Sequence, residues 1–246
     1  MERANRMGTS VVAYARAAGI GYLVIIATGI YAEFFVRSTL IVPGDPAATA
    51  SNIMGSELLF RSSLASELVM LVADVAVAGA LYMVFRRFSE ALAVLAAFFR
   101  LTHAAVVGAN LLNAYVPLLL LGGGTGSAAL GVGVREGLAS LLLQAHAYGY
   151  ALGLVFFAVY CGLLGYLVVR SRYVPRVLGF LLMVAGAGYM IDSLGRTLLV
   201  DYSEYETVLG LIVLLPAFVA ELSFSLWLTV KGVDVGDHGG AEPAAA

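Results

Sequence analysis

Residues 91–121 read ALAVLAAFFRLTHAAVVGANLLNAYVPLLLL, and the fold follows from this stretch. Its only charge is Arg100, joined by His103, Asn110 and Asn113. A helix rises 1.5 Å per residue, so the block exceeds the ~20 residues that cross a ~30 Å hydrocarbon layer. Five similar blocks flank it, at about 11–36, 64–85, 138–169, 177–200 and 208–230. The pattern predicts an all-α polytopic bundle of about six transmembrane helices, with tilt or helix continuing past the bilayer where a block is long.

Composition agrees. The 246 residues are 61% hydrophobic and 12% charged, with a mean hydropathy of +0.93. A soluble domain carries roughly 25% charged residues, so a water-facing globule is excluded. The basic residues are 13 Arg and Lys231, with no basic stripe beyond the flanks of the apolar blocks, so nucleic acid is not an expected partner. The single cysteine, Cys161, rules out an intramolecular disulfide and a cysteine-based metal cluster.

Orientation follows from the short connections. Arg3, Arg6, Arg16, Arg86, Arg87, Arg170, Arg172, Arg176 and Lys231 fall on one side; Arg37, Arg61, Arg135 and Arg196 fall on the other. The positive-inside rule then puts both termini in the cytoplasm of a cell-membrane protein. Trp227 beside Lys231 reads as an interfacial anchor. In the longest outside connection, Pro43, Gly44, Asp45 and Pro46 predict a turn followed by a short interfacial helix. GGGTGS (122–127) predicts a flexible outside turn, and the tail 233–246 is expected to be a disordered cytoplasmic extension of a single domain, 1–232. The first block is longer than a secretory h-region, so it is expected to be retained as a span.

Charges within apolar blocks are costly, at least ~2.5–3.5 kcal/mol each at the bilayer centre, and so face a bundle interior or a wet cavity. Counting depth from the cytoplasmic ends groups them in two layers. Asp74, Arg100, His103 and Glu221 form a candidate midplane cluster. Glu33, Glu67, Asn110, Asn113, His146 and Asp192 form a candidate outer-half cluster. Glu67 and Asp74 share a helix face, as do Arg100, His103 and Asn110; Glu33 and Arg37 can pair. Arg100 with Asp74 or Glu221 could equally be a buried ion pair that fixes helix register. Arg can hold a carboxylate charged but cannot shuttle protons; His, Glu and Asp can.

No cofactor is expected. His103 and His146 differ in depth by about 15 Å, which disfavours one bis-histidine haem. No HExxH or cysteine pair supports a metal. GTGSAA (124–129) follows a membrane helix rather than a strand, so it reads as a turn, not a dinucleotide loop. Gly149, Gly153, Gly162, Gly165, Gly179, Gly186 and Gly188 suggest close helix packing. Pro216, five residues before Glu221, suggests a packing kink or a gate.

Several strings carry a family resemblance: AEFFVRSTLIVPGD (32–45), LAAFFRLTHAAVVGANLLN (95–113), AHAYGYALGLVFF (145–157), GYLVVRSRYVPRVLG (165–179), GYMIDS (188–193) and ELSFSLWLTVKG (221–232). The chain resembles the prokaryotic multi-pass membrane-protein family catalogued as domain of unknown function four-three-eight-six. The resemblance implies a multi-pass fold and no activity. Glu33, Arg100, His146, Asp192 and Glu221 sit at positions of the family pattern, and Glu67 replaces an expected Asp. Three functions stay open: a small-solute or proton-coupled carrier using a polar intramembrane cavity, the leading one; an intramembrane enzyme acting on a lipid, prenyl or quinone-like substrate; and a structural or accessory membrane protein. The lipid bilayer is the expected partner, with a small-molecule or lipid ligand; the oligomeric state is left open.

Overall fold

The computed structural model describes residues 2–234 apart from Thr125. The expected disordered tail lies outside the described residues from position 235 onward. The described chain is helical, with no strand. Helix α1 (Glu2–Ile30) runs without a break into a π-helical stretch (Tyr31–Arg37) and a last turn (Ser38–Leu40). Then follow α2 (Pro46–Gly55), α3 (Glu57–Phe85), α4 (Glu90–Leu121), α5 (Val132–Ser171), α6 (Arg176–Leu198) and α7 (Tyr202–Val230).

Six of these helices are long and apolar enough to cross a membrane: Ser10–Leu40, Glu57–Phe85, Glu90–Leu121, Val132–Ser171, Arg176–Leu198 and Val208–Val230. Helices α3 and α5 begin well before their apolar blocks. Glu57 and Arg61 pair at i,i+4 with Nε–Oε1 of 2.6 Å, which supports a polar first turn outside the hydrocarbon. The expected short helix is α2. Asp45 caps it by accepting the Ala48 N–H at 2.9 Å, and Pro46 stands where no N–H is needed.

Each long helix packs on its neighbours in sequence, α1 on α3, α3 on α4, and so on to α7, and α7 packs back on α1. The six spans therefore form a closed ring in chain order. At one end the last turn of α3 stacks Phe85 on Tyr173 at 6.1 Å, and the Asp234 N–H donates to the Tyr173 carbonyl. This end carries Arg86, Arg87, Arg170, Arg172 and Arg176, and is hereafter the arginine end. The opposite, loop end is closed by a buried apolar cluster of Val36, Leu40, Ile53, Phe60, Leu118 and Leu143, with Ile53 contributed by α2.

The inward positions repeat every 3.5 residues. On α5 they are Leu143, His146, Tyr150, Gly153, Phe157, Tyr160, Leu164 and Leu167; on α3 they include Ser63, Glu67, Met70, Asp74 and Val77; on α4, Ala96, Arg100, His103, Val107 and Asn110. A 3.5 period keeps one seam facing its neighbours along a left-handed bundle. The outward positions are apolar and exposed, as with Leu58, Val72, Leu112, Ile191 and Leu215. A soluble protein does not present so much apolar surface, whereas lipid tails accept it. The polar residues are the ones turned inward.

Candidate functional site

Two polar tiers cross the ring, spaced along α5. In the central tier Arg100 is fully buried. Its Nη2 donates to Asp74 Oδ1 at 2.5 Å and its Nη1 to the Tyr22 hydroxyl at 2.7 Å. The Tyr22 and Tyr160 hydroxyls are 2.6 Å apart. The guanidinium also lies over the rings of Tyr22, Tyr160 and Phe157, at 4.4, 4.8 and 5.4 Å from their centroids. A low-dielectric setting with aromatic faces makes such cation–π contacts worth more than at a surface. The cation is therefore held by three helices, α1, α3 and α5.

His103 completes this tier. Its Nδ1 lies 3.0 Å from the Gly153 carbonyl. A carbonyl only accepts, so Nδ1 carries a hydrogen and the neutral ring is bare at Nε2. That nitrogen lies 3.9 Å from Asp74 Oδ2. Glu221, on α7, is buried and accepts the Tyr189 hydroxyl at 2.6 Å. Of the two pairings left open for Arg100, the structure makes the one with Asp74.

The distal tier lies toward the loop end. Glu67 is buried on α3. Its Oε1 pairs with Arg37 Nη1, and its Oε2 lies 3.4 Å from His146 Nε2. Arg37 also reaches Glu33 Oε2 through Nε at 2.8 Å and Nη2 at 2.7 Å. Glu33 differs from the other members of the expected outer cluster: its side chain is 56% exposed, and that of Arg37 is 16%. Asn110 donates to the His146 carbonyl at 2.8 Å and accepts from Asn113 at 3.0 Å. Gly149 makes this possible, because a Cβ there would fall on the Asn110 amide.

Asp192 does not join that tier. It accepts the Tyr202 hydroxyl at 2.5 Å and Arg196 Nε at 3.2 Å, tying α6 to the start of α7. Depth along the axis fixes one coordinate of a residue; the position around the ring is the other, and it separates Asp192 from Glu67.

Sequence reasoning missed the tyrosines. Tyr22, Tyr160 and Tyr189 supply the hydroxyls that satisfy the central tier, and Tyr150 stands between His146 and Gly153 on the α5 seam, its ring edge-on to His103 at 6.4 Å. The 4-3-4-3 spacing of His146, Tyr150, Gly153, Phe157 and Tyr160 would have found Tyr150 and Tyr160. Among the described residues, no group of three or more His, Cys, Asp or Glu side chains is arranged to hold a metal ion. Several buried polar atoms have no hydrogen-bond partner, among them Glu67 Oε2, His146 Nε2 and Arg100 Nε.

The two tiers have matching contents. Each holds two carboxylates, one arginine and one histidine. Counted formally, with neutral imidazoles and ionised carboxylates, each sums to one negative charge, and one proton would neutralise it. From His146 to Tyr160 the seam covers fourteen residues, about 21 Å of helix.

Comparison with known proteins adds the family. The model of the family described as Domain of unknown function (DUF4386) matches residues 17–232. An uncharacterized protein of Archaeoglobus fulgidus is 29% identical over 175 residues, covering 69% of this chain and 83% of the relative. No solved structure matches the chain.

Proposed function

The chain belongs to the DUF4386 family, and we propose that this multi-pass membrane protein is a proton-coupled carrier of a small solute, working in the cell membrane with both termini cytoplasmic. The observation that carries the reading is the pair of matched tiers. In each, a histidine Nε2 faces a carboxylate oxygen, at 3.4 Å and 3.9 Å, inside a closed ring of helices. Histidine exchanges protons near neutrality and can share one with a facing carboxylate, whereas arginine stays charged and positions them. Intramembrane ionisable residues that face a bundle interior mark ion pathways and proton relays more often than packing.

The tiers differ in exposure. The distal tier reaches the surface through Arg37 and Glu33, while the central tier is enclosed by aromatic rings. A proton entering at the distal tier would pass Tyr150 to reach His103 and Asp74. The inward pairing of charges fits a carrier that changes which tier is accessible, because in each tier an arginine offsets one carboxylate and a bound proton can offset the other.

The test uses proteoliposomes of the full chain with a trapped pH-sensitive dye and an imposed pH gradient. The expected result is proton movement that is faster than in empty vesicles and falls at least roughly tenfold in Glu67→Gln and in Asp74→Asn. Equal dye responses from native protein, both variants and empty vesicles would refute it.

A further inference from the structure

Glu67 has one oxygen satisfied and one not. Oε1 is taken by Arg37, whereas Oε2 is buried without a hydrogen bond and faces His146 Nε2, itself buried without one. Leaving two such atoms unpaired is costly. A neutral imidazole with its hydrogen on Nε2 can donate to Oε2, and one added proton turns the contact into a charge-assisted imidazolium–carboxylate bond or a carboxyl that donates from Oε2.

Arg37 meanwhile serves two carboxylates of opposite exposure. Glu33 is 56% exposed and Glu67 2%, so the guanidinium spans from surface to core. It does so from the π-helical stretch Tyr31–Arg37. Such stretches are rare, and they are frequent at functional sites. The same stretch carries Val36, which with Leu40, Ile53 and Phe60 seals the loop end directly beyond Glu67.

We propose that Glu67 and His146 form a binding site for one proton, and that Arg37 is the latch that senses its occupancy. The inference rests on the proton-coupled reading above and names its entry site. The proton comes from water at the loop end and settles between Oε2 and Nε2; no other covalent bond changes. The proton gives Glu67 a second partner that competes with Arg37, the hold of Glu67 on Arg37 weakens, and Arg37 retains Glu33 at the surface. Withdrawal of Arg37 shifts Val36 and Leu40 away from Ile53 and opens the apolar seal. The charged and titratable groups around Glu67 are Arg37 and Glu33 from the π-helical stretch, His146 and Tyr150 from α5, and Asp74 two turns along α3, which Arg100 already holds. Helix α4 presents only the amides Asn110 and Asn113 here, and α2 has no charged residue.

Two measurements test this on the full chain in lipid nanodiscs. Infrared difference spectra between two pH values should contain a protonation band that vanishes in Glu67→Gln and changes in His146→Gln; spectra unchanged by both variants overturn the site. For the latch, Cys161 is replaced by Ala and a thiol is placed at the fully buried Ile53, with a second variant carrying it at Leu182 near the arginine end. A water-soluble maleimide should label Ile53→Cys roughly tenfold faster when Glu67→Gln or Arg37→Gln is added, with Leu182→Cys unchanged. Equal labelling of Ile53→Cys in all backgrounds overturns the latch. Faster labelling at both positions also overturns it, because the pair would then hold the whole bundle. Neither readout needs transport, so intact signals without dye response would sink the carrier reading alone.

Discussion

Arg100 is the residue around which the rest of the central tier is arranged. It is the largest fully buried side chain among the described residues, and burying a guanidinium is tolerable only with a close counter-ion; both its Nη atoms are hydrogen-bonded, whereas Nε is not. Asp74 supplies the charge, Tyr22 takes a donor, and three rings cover the cation's faces. Arg100→Leu would strand Asp74 in the core. The expected loss is about 3–5 kcal/mol, read as a lower unfolding midpoint in detergent. The double change Asp74→Leu with Arg100→Leu should recover much of that loss, because the uncompensated charge goes with its partner. A double variant as unstable as the single one would mean that the tyrosine network, rather than the ion pair, sets the stability of this tier. Arg100, Asp74, Glu67 and His146 were all legible as inward-facing residues in the sequence, since only a buried or wet position tolerates them. Their partners were not. Tyrosine carries an apolar ring, so Tyr22, Tyr160 and Tyr189 blend into an apolar block, and only their hydroxyls reveal a polar role once the neighbouring helices are in place.

At the scale of the element, α5 decides most of the arrangement. Its seam runs from Leu143 to Leu167 and carries, in order, the distal histidine, Tyr150, the carbonyl that orients His103, and the phenol that completes the Arg100 cage. Its glycines are not equivalent. A Cβ at Gly149 would overlap the Asn110 side chain, whereas one at Gly162 meets nothing within 4 Å. Gly149→Ala is therefore expected to cost about 1–3 kcal/mol through overpacking, and Gly162→Ala to be neutral or slightly stabilising through helix propensity. Thermal unfolding of the two variants side by side checks the contrast; equal effects would mean that Asn110 can move aside freely. The sequence named both glycines as packing residues, but it could not rank them, because the distance to α4 is a property of two helices. The π-helical stretch was likewise invisible: no local preference separates YAEFFVR from an α-helical segment.

For the whole molecule, the closing contact between α1 and α7 matters most. A Cβ at Gly19 would stand 2.6 Å from the Thr229 backbone nitrogen and 2.8 Å from the Ser225 carbonyl oxygen. Backbone cannot step aside as a flexible side chain can, so Gly19→Val should part the two helices. The expected outcome is faster proteolysis or poorer survival in detergent, with α3 to α6 still packed; a variant as robust as the native chain would show that the ring does not depend on this seam. Ring closure also explains why charges from α1, α3, α4 and α5 meet at all. Adjacent spans touch through small and apolar side chains, and the long polar side chains reach across the middle.

The sequence by itself determined that this is an all-α membrane protein with six spans, because hydrocarbon admits only long apolar helices whose backbone groups are satisfied within themselves. It also determined which residues turn inward and roughly how deep each lies, because charge cost and helical rise are local quantities. Only the tertiary structure decided the position of each residue around the ring. That coordinate paired Glu67 with His146 and Arg37, gave Arg100 to Asp74 rather than Glu221, and set Asp192 apart with Arg196 and Tyr202. It depends on how six seams pack against one another, and no single helix contains it.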